Sequence, residues 1–160
     1  MPTDEPNYDA VIETPIASIS LGIVVAEDAL LTIALLARRQ RPLLPSNAMS
    51  REVVRQLRAY FTDPQWQFSL PITPQGTPFQ QRVWQFMCSI PVGETRRYGD
   101  VAQALNSAPR AVGGACRHNP VPLVVPCHRI VAANGLGGFN GCRDGAELAF
   151  KQWLLKHERA

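Results

Sequence analysis

The sequence predicts an α/β N-terminal unit, a small antiparallel sheet with one helix, followed by a mainly α C-terminal unit containing a helix-turn-helix. Three observations lead there. Residues 16–26 and 30–36 carry apolar side chains at strand spacing on either side of Glu27-Asp28, the pattern of a hairpin. Val53, Val54, Leu57, Tyr60 and Phe61 then recur at helical spacing. Beyond residue 76 the apolar periodicity is mostly helical, punctuated by short Pro, Gly and Asn turns.

Taken in chain order, residues 1–9 are polar and read as loose. In the first strand Ile19, Leu21 and Ile23 share one face, and the second strand returns across the turn. Residues 38–45 form a loop. A helix spans about 50–61 and stops at Asp63-Pro64. The segment 69–76, with Pro71 and Pro74, is the expected linker, dividing the chain into residues 1–72 and 73–160. Thr77-Pro78-Phe79-Gln80 is a capping box with proline at the first helical position. Phe79, Val83, Phe86, Met87 and Ile90 mark that helix's buried face, and Pro91-Val92-Gly93 ends it. A short helix over 100–105, a turn at Asn106-Ser107 with Ser107 as cap, and a helix over 109–117 make the helix-turn-helix. Asp144 and Glu147 form a second capping-box pattern. Ala146, Ala149, Phe150, Trp153 and Leu154 stripe the closing helix.

Composition narrows the function. No apolar run approaches the roughly 20 residues that span a bilayer. Asp4, Glu5, Asp9 and Glu13, with no Lys or Arg in the first twenty residues, are wrong for a signal peptide, so a cytoplasmic chain is expected. Cys88, Cys116, Cys127 and Cys142 are then free thiols, and their spacing contains no C-x-x-C pair for structural zinc. Residues 1–72 carry 6 Lys/Arg against 8 Asp/Glu (−2), and residues 73–160 carry 10 against 5 (+5). A basic second half suits a polyanion partner, although a basic soluble domain has the same balance.

Two features carry chemistry. Val121 to Val125 is an apolar, β-branched run that reads as a buried extended segment, closed by Pro126. It delivers Cys127 next to His128. Nucleophilic sulfur needs the thiolate, an imidazole can take the proton, and a carboxylate on the far ring nitrogen would set its tautomer. Adjacent residues tend to point apart, so the pair could need a bridging water. Taken alone, the dipeptide favours a buried, inert thiol beside a surface imidazole. The second feature is Gly113-Gly114 inside a helix, at a cost of about 1–2 kcal/mol against alanine. Tight helix packing accounts for it, and so does entry into a minor groove only about 6 Å wide. The run 135–141 is glycine-rich but lacks the Lys-Ser/Thr of a phosphate loop.

In order along the chain, Thr77-Pro-Phe-Gln-Gln-Arg-Val-Trp84, Pro91-Val-Gly-Glu-Thr-Arg-Arg-Tyr-Gly99, Arg110-Ala-Val-Gly-Gly-Ala115, Asn119-Pro-Val-Pro122, Pro126-Cys-His-Arg-Ile-Val131 and Lys151-Gln-Trp-Leu-Leu155-Lys-His-Glu158 resemble the O6-alkylguanine-DNA alkyltransferase family. The match covers residues 73–160; the first half agrees only in outline. The resemblance implies single-use transfer of an alkyl group from guanine O6 in duplex DNA to Cys127, by a monomer without metal or cofactor. It implies that His128, a water and Glu158 generate the thiolate, and that Asn119 holds the turn. Tyr98 would contact the flipped guanine and donate a proton. Arg110 would fill the gap in the base stack, with Ala111, Gly113, Gly114 and Arg117 on the minor-groove helix. Ile130, Phe139 and Asn140 would line the pocket. Two departures stand out: Phe139-Asn140-Gly141 replaces the family's usual tyrosine and small residue, and residues 142–147 are inserted. The resemblance puts both on the pocket wall, which leaves the range of alkyl groups open. Related damage sensors that only bind flipped bases lack the cysteine, and a plain helix-turn-helix regulator would ignore alkylation.

Overall fold

A computed structural model describes residues 7–37, 41–139 and 145–159. Strands β1 (Ala10–Glu13), β2 (Ser20–Val25) and β3 (Leu30–Leu36) form an antiparallel sheet in that order. The hairpin is as the sequence predicts. β1 is an addition, too short at four residues to register as a period. Ile23 pairs with Ala10 on one side and Ile33 on the other, placing all three against the core. The opposite face of β2 is also covered. The Tyr8 ring lies over Gly22 so closely that a Cβ there would come within 2.5 Å of it.

Helix α1 (Ala48–Thr62) begins in a capping box between Asn47 and Ser50 and buries Val53, Val54, Leu57 and Tyr60 under the sheet. The expected linker is not a free tether. Gln56 clamps Ser69 through bonds of 2.9 and 3.1 Å, and Leu30 N–H donates to the Pro71 carbonyl (2.9 Å). Ile72 extends that contact as a parallel bridge to Leu30. Residues 71–72 thus meet the start of β3, whose Ile33 N–H donates to Pro120 of the second half. One continuous apolar cluster joins the sheet, α1 and the helices that follow.

Helix α2 (Pro78–Ser89) has the predicted Thr77/Gln80 capping box. Its core residues are Val83, Trp84 and Met87, whereas Phe79 and Phe86 are only half-buried. Trp84 is inside because its Nε1–H reaches the Ala115 carbonyl at 2.9 Å, fixing α2 on α4. A two-residue strand β4 (Arg96–Arg97) leads into α3 (Tyr98–Ala104), which starts two residues earlier than predicted. The turn carries Asn106 in the left-handed region (φ 54°). Helix α4 (Pro109–Arg117) has the predicted bounds, but its cap position is Ala108 and no side chain, Ser107 included, caps it. α3 and α4 pack together as a helix-turn-helix.

The run 121–125 is a turn, not the expected extended segment. Pro122 and Leu123 interrupt it, Leu123 with φ 74°, and Val125 N–H closes back on the Val121 carbonyl (2.9 Å). A 3-10 turn (Cys127–Arg129) and strand β5 (Ile130–Val131), parallel to β4, follow. Helix α5 (Gly145–Glu158) closes the chain with Phe150, Lys151, Leu154, Leu155 and Glu158 inside; Ala149, expected on the stripe, is exposed. Asn140, Cys142 and the Asp144 cap lie outside the described residues.

Candidate active site

The site is built on the turn before Cys127. Asn119 spans it, its Oδ1 accepting from Val121 N–H (3.1 Å) and its Nδ2 donating to the Val125 carbonyl (2.8 Å). These bonds offset a left-handed leucine at 123, a conformation costing about 1–2 kcal/mol. Cys127 N–H donates to the Val125 carbonyl (2.8 Å), so the thiol is anchored to the same turn.

Behind it lies a buried polar cluster. Glu158, from the end of α5, accepts from His128 Nε2 (2.8 Å), Tyr60 Oη (2.7 Å), and Arg129 Nε and Nη2 (2.9 and 3.0 Å). Burial alone would favour the neutral acid. The donors from His128, Arg129 and Tyr60 outweigh it and hold the carboxyl well below its usual range. An ionised carboxylate can only accept, so His128 Nε2 carries the proton. Burial lowers the His128 pKa, leaving the ring neutral despite Glu158. Nδ1 is therefore the basic nitrogen; it is buried and bonds to no described protein atom. Arg129 also donates to the Ile90 carbonyl (2.7 Å), tying the cluster to the end of α2.

In front of Cys127 opens a cavity of about 970 Å³. Tyr98 of α3, Cys116 and Gly113-Gly114 of α4, and the loop from Ala132 to Phe139 form its walls; Arg110 and Arg117 stand at its edge. Neither Gly113 nor Gly114 has any atom within 4 Å of where a Cβ would sit, so helix packing does not explain them. They leave a flat, open surface on α4. Gly137 does serve packing: its φ is 73°, and a Cβ would meet the Tyr98 ring at 2.9 Å. Burial pushes the Tyr98 phenol up, so it stays protonated. Burial likewise raises the Cys127 thiol, opposed by Asn119 and Lys151.

Cys127, Tyr98, Arg110, Arg117, Gly113, Gly114 and Phe139 thus converge on one cavity, with His128 and Glu158 behind it and Asn119 beneath. Ala111 is exposed on α4 and does not line the cavity. Nor does Ile130, which is fully buried: its N–H donates to the Cys127 carbonyl and its own carbonyl accepts from Lys151. Sequence reasoning missed Tyr60 and Lys151 and gave Arg129 only a structural ion pair, which it makes. Lys151 left one signal: it lies at i, i+3, i+4 and i+7 with Leu154, Leu155 and Glu158 on the inner face of α5. Among the described residues no helix is long and apolar enough to cross a membrane. None of the cysteines at 88, 116 and 127 is in a disulfide.

Comparison with known proteins agrees with this arrangement. Residues 78–160 match the family model described as "6-O-methylguanine DNA methyltransferase, DNA binding domain". A methylated-DNA–protein-cysteine methyltransferase of Methanosarcina mazei is 38% identical, the match covering 94% of this chain and 96% of the relative. The crystal structure of the Mycobacterium tuberculosis O6-methylguanine methyltransferase superposes with a TM-score of 0.77 at 35% identity, covering 93% of this chain and 90% of that one. A structure of the M. tuberculosis protein in complex with DNA gives the same TM-score and identity, over 93% and 91%. The chain belongs to the O6-methylguanine-DNA methyltransferase family, the methylated-DNA–protein-cysteine methyltransferases.

Proposed function

We propose that this protein repairs DNA directly, moving the alkyl group of an O6-alkylguanine onto Cys127 Sγ once per molecule. The observation that carries this reading is the placement of Cys127: a buried thiol at a cavity roofed by the open face of α4 and backed by the Glu158–His128 pair. A base stacked in a duplex cannot bring its O6 substituent to such a thiol, so the nucleotide must rotate out into the cavity. Gly113 and Gly114 let α4 lie close to a minor groove, and Arg110 at its first turn fills the space the base leaves.

His128 Nδ1 takes the Cys127 proton through a water, and Glu158 stabilises the imidazolium that results. The thiolate attacks the alkyl carbon. The S–C bond forms as the C–O6 bond breaks, and the electron pair leaves on guanine. Tyr98, held protonated by burial, donates toward the departing base and neutralises its charge. The thioether is not a leaving group, so the protein is consumed. It acts as a monomer on the lesion, in the cytoplasm.

The test is incubation with duplex DNA containing O6-methylguanine. Guanine is restored in proportion to protein added, and a Cys127→Ala variant restores none. Repeated turnover, or repair by that variant, would refute the reading. Equal affinity for undamaged DNA without any repair would favour a plain DNA-binding regulator.

A further inference from the structure

Lys151 is buried in the middle of α5, 0% exposed, and no ion pair among the described residues includes it. Its Nζ donates instead to the Ile130 carbonyl (2.7 Å) and the Gly138 carbonyl (2.9 Å). Ile130 follows the Cys127 turn directly, while Gly138 belongs to the loop that walls the cavity. One ammonium group therefore bridges the floor and the far wall of the pocket. It also lies 5.9 Å from the centre of the Tyr98 ring. The titratable groups that face it are Cys127 on the 3-10 turn, Cys116 on α4, Tyr98 on α3 and His128. A buried cation held only by neutral acceptors is expensive, and a compensating anion is the usual reason to keep one.

We infer that Lys151 is a positioning residue for alkyl transfer: it ties the Cys127 turn to the pocket wall and supplies the positive charge that supports the Cys127 thiolate. The role rests on Cys127 being the acceptor. His128 Nδ1 removes the thiol's proton, and Lys151 opposes the cost of burying the anion left behind. Burial pushes the Lys151 ammonium down to about 8, whereas Cys127 and Cys116, when ionised, favour its charged form. Burial favours the neutral form of each group, and each charge, once formed, opposes that cost for the other.

The experiment follows carboxamidomethylation of Cys127 by iodoacetamide across pH 6–10, resolved by peptide mass so that Cys88 and Cys116 are read separately. Lys151→Met moves the Cys127 midpoint upward by about one pH unit, a tenfold slower reaction near neutrality, and Lys151→Arg restores it. A Lys151→Met midpoint equal to wild type overturns the inference. So does an equal shift in both variants, which would mark a packing role alone. Should Lys151→Met not fold, the wild-type chain gives the same answer, because Lys151 and Lys156 are its only lysines. In the NMR titration of labelled lysines, capping Cys127 with iodoacetamide lowers the Lys151 midpoint and leaves Lys156 alone; an unmoved Lys151 overturns the inference. Neither arm uses DNA, so a failure of the repair reading stays separate.

Discussion

Tyr60 of α1 donates a 2.7 Å hydrogen bond to Glu158 at the end of α5, across 98 residues of sequence. The N-terminal half thereby completes the buried cluster that orients His128. A hydrogen bond to a charged group contributes about 1.5–3 kcal/mol. Tyr60→Phe should lower stability by that amount in a urea titration and slow repair modestly, with His128 and Arg129 still holding the carboxylate. Glu158→Gln should slow repair far more, because the amide can offer His128 a donor and reverse its tautomer. Equal rates in the two variants would contradict this ordering.

The transfer rate should persist into mild acid. Burial lowers the His128 pKa from its ordinary 6.5, so the imidazole stays a free base until the pH falls below that value. In a single-turnover pH profile, the acidic limb should therefore lie below 6.5. A midpoint at or above 6.5 would mean that His128 is exposed or is not the base.

Gly113 and Gly114 separate stability from DNA binding. With open space at both Cβ positions, Gly113→Ala should stabilise α4 by about 0.5–1 kcal/mol. Gly113→Leu should fold equally well yet, if α4 enters the groove as proposed, weaken duplex binding at least severalfold by fluorescence anisotropy. Undiminished binding by Gly113→Leu would remove α4 from the groove.

Arg110 is exposed at the cavity edge, outside the core. Arg110→Ala should leave Cys127 alkylation by iodoacetamide unchanged while slowing repair of duplex DNA about tenfold or more. Parallel losses in both assays would place its effect on the thiol and not on base flipping.

Lys151 gives stability a distinctive pH dependence. Its charged form is disfavoured in the fold, with a pKa of about 8 against an ordinary 10.5. Between those values the unfolded chain binds more protons than the folded one, so stability rises with pH there, by up to about 3 kcal/mol. Wild type should gain on Lys151→Met as the pH rises from 8 to 10 in thermal melts. A constant difference would show that the ammonium is not desolvated.

Local signals were legible in the sequence and long-range ones were not. Helix α4 has its predicted bounds because Pro109 presets the first turn, and Thr77/Gln80 capped α2 as expected. The 121–125 run misled, since its β-branched side chains suit a strand while Pro120, Pro122 and the Asn119 side chain bend it into a turn. The motifs carry Cys127, His128, Tyr98 and Arg110, which the structure brings to one cavity or directly behind it. Tyr60 read as core because nothing local reveals a partner 98 residues away. Lys151 hid in an apolar stripe whose polar member is buried by carbonyls of two distant segments.

The most direct measurement is the mass of the peptide containing Cys127 after the protein meets one equivalent of duplex bearing a single O6-methylguanine. One methyl group on that peptide, none on those with Cys88 or Cys116, and guanine restored in equal amount are the expected result. Restored guanine with an unmodified Cys127, or a methyl group carried by another residue, would contradict the central claim.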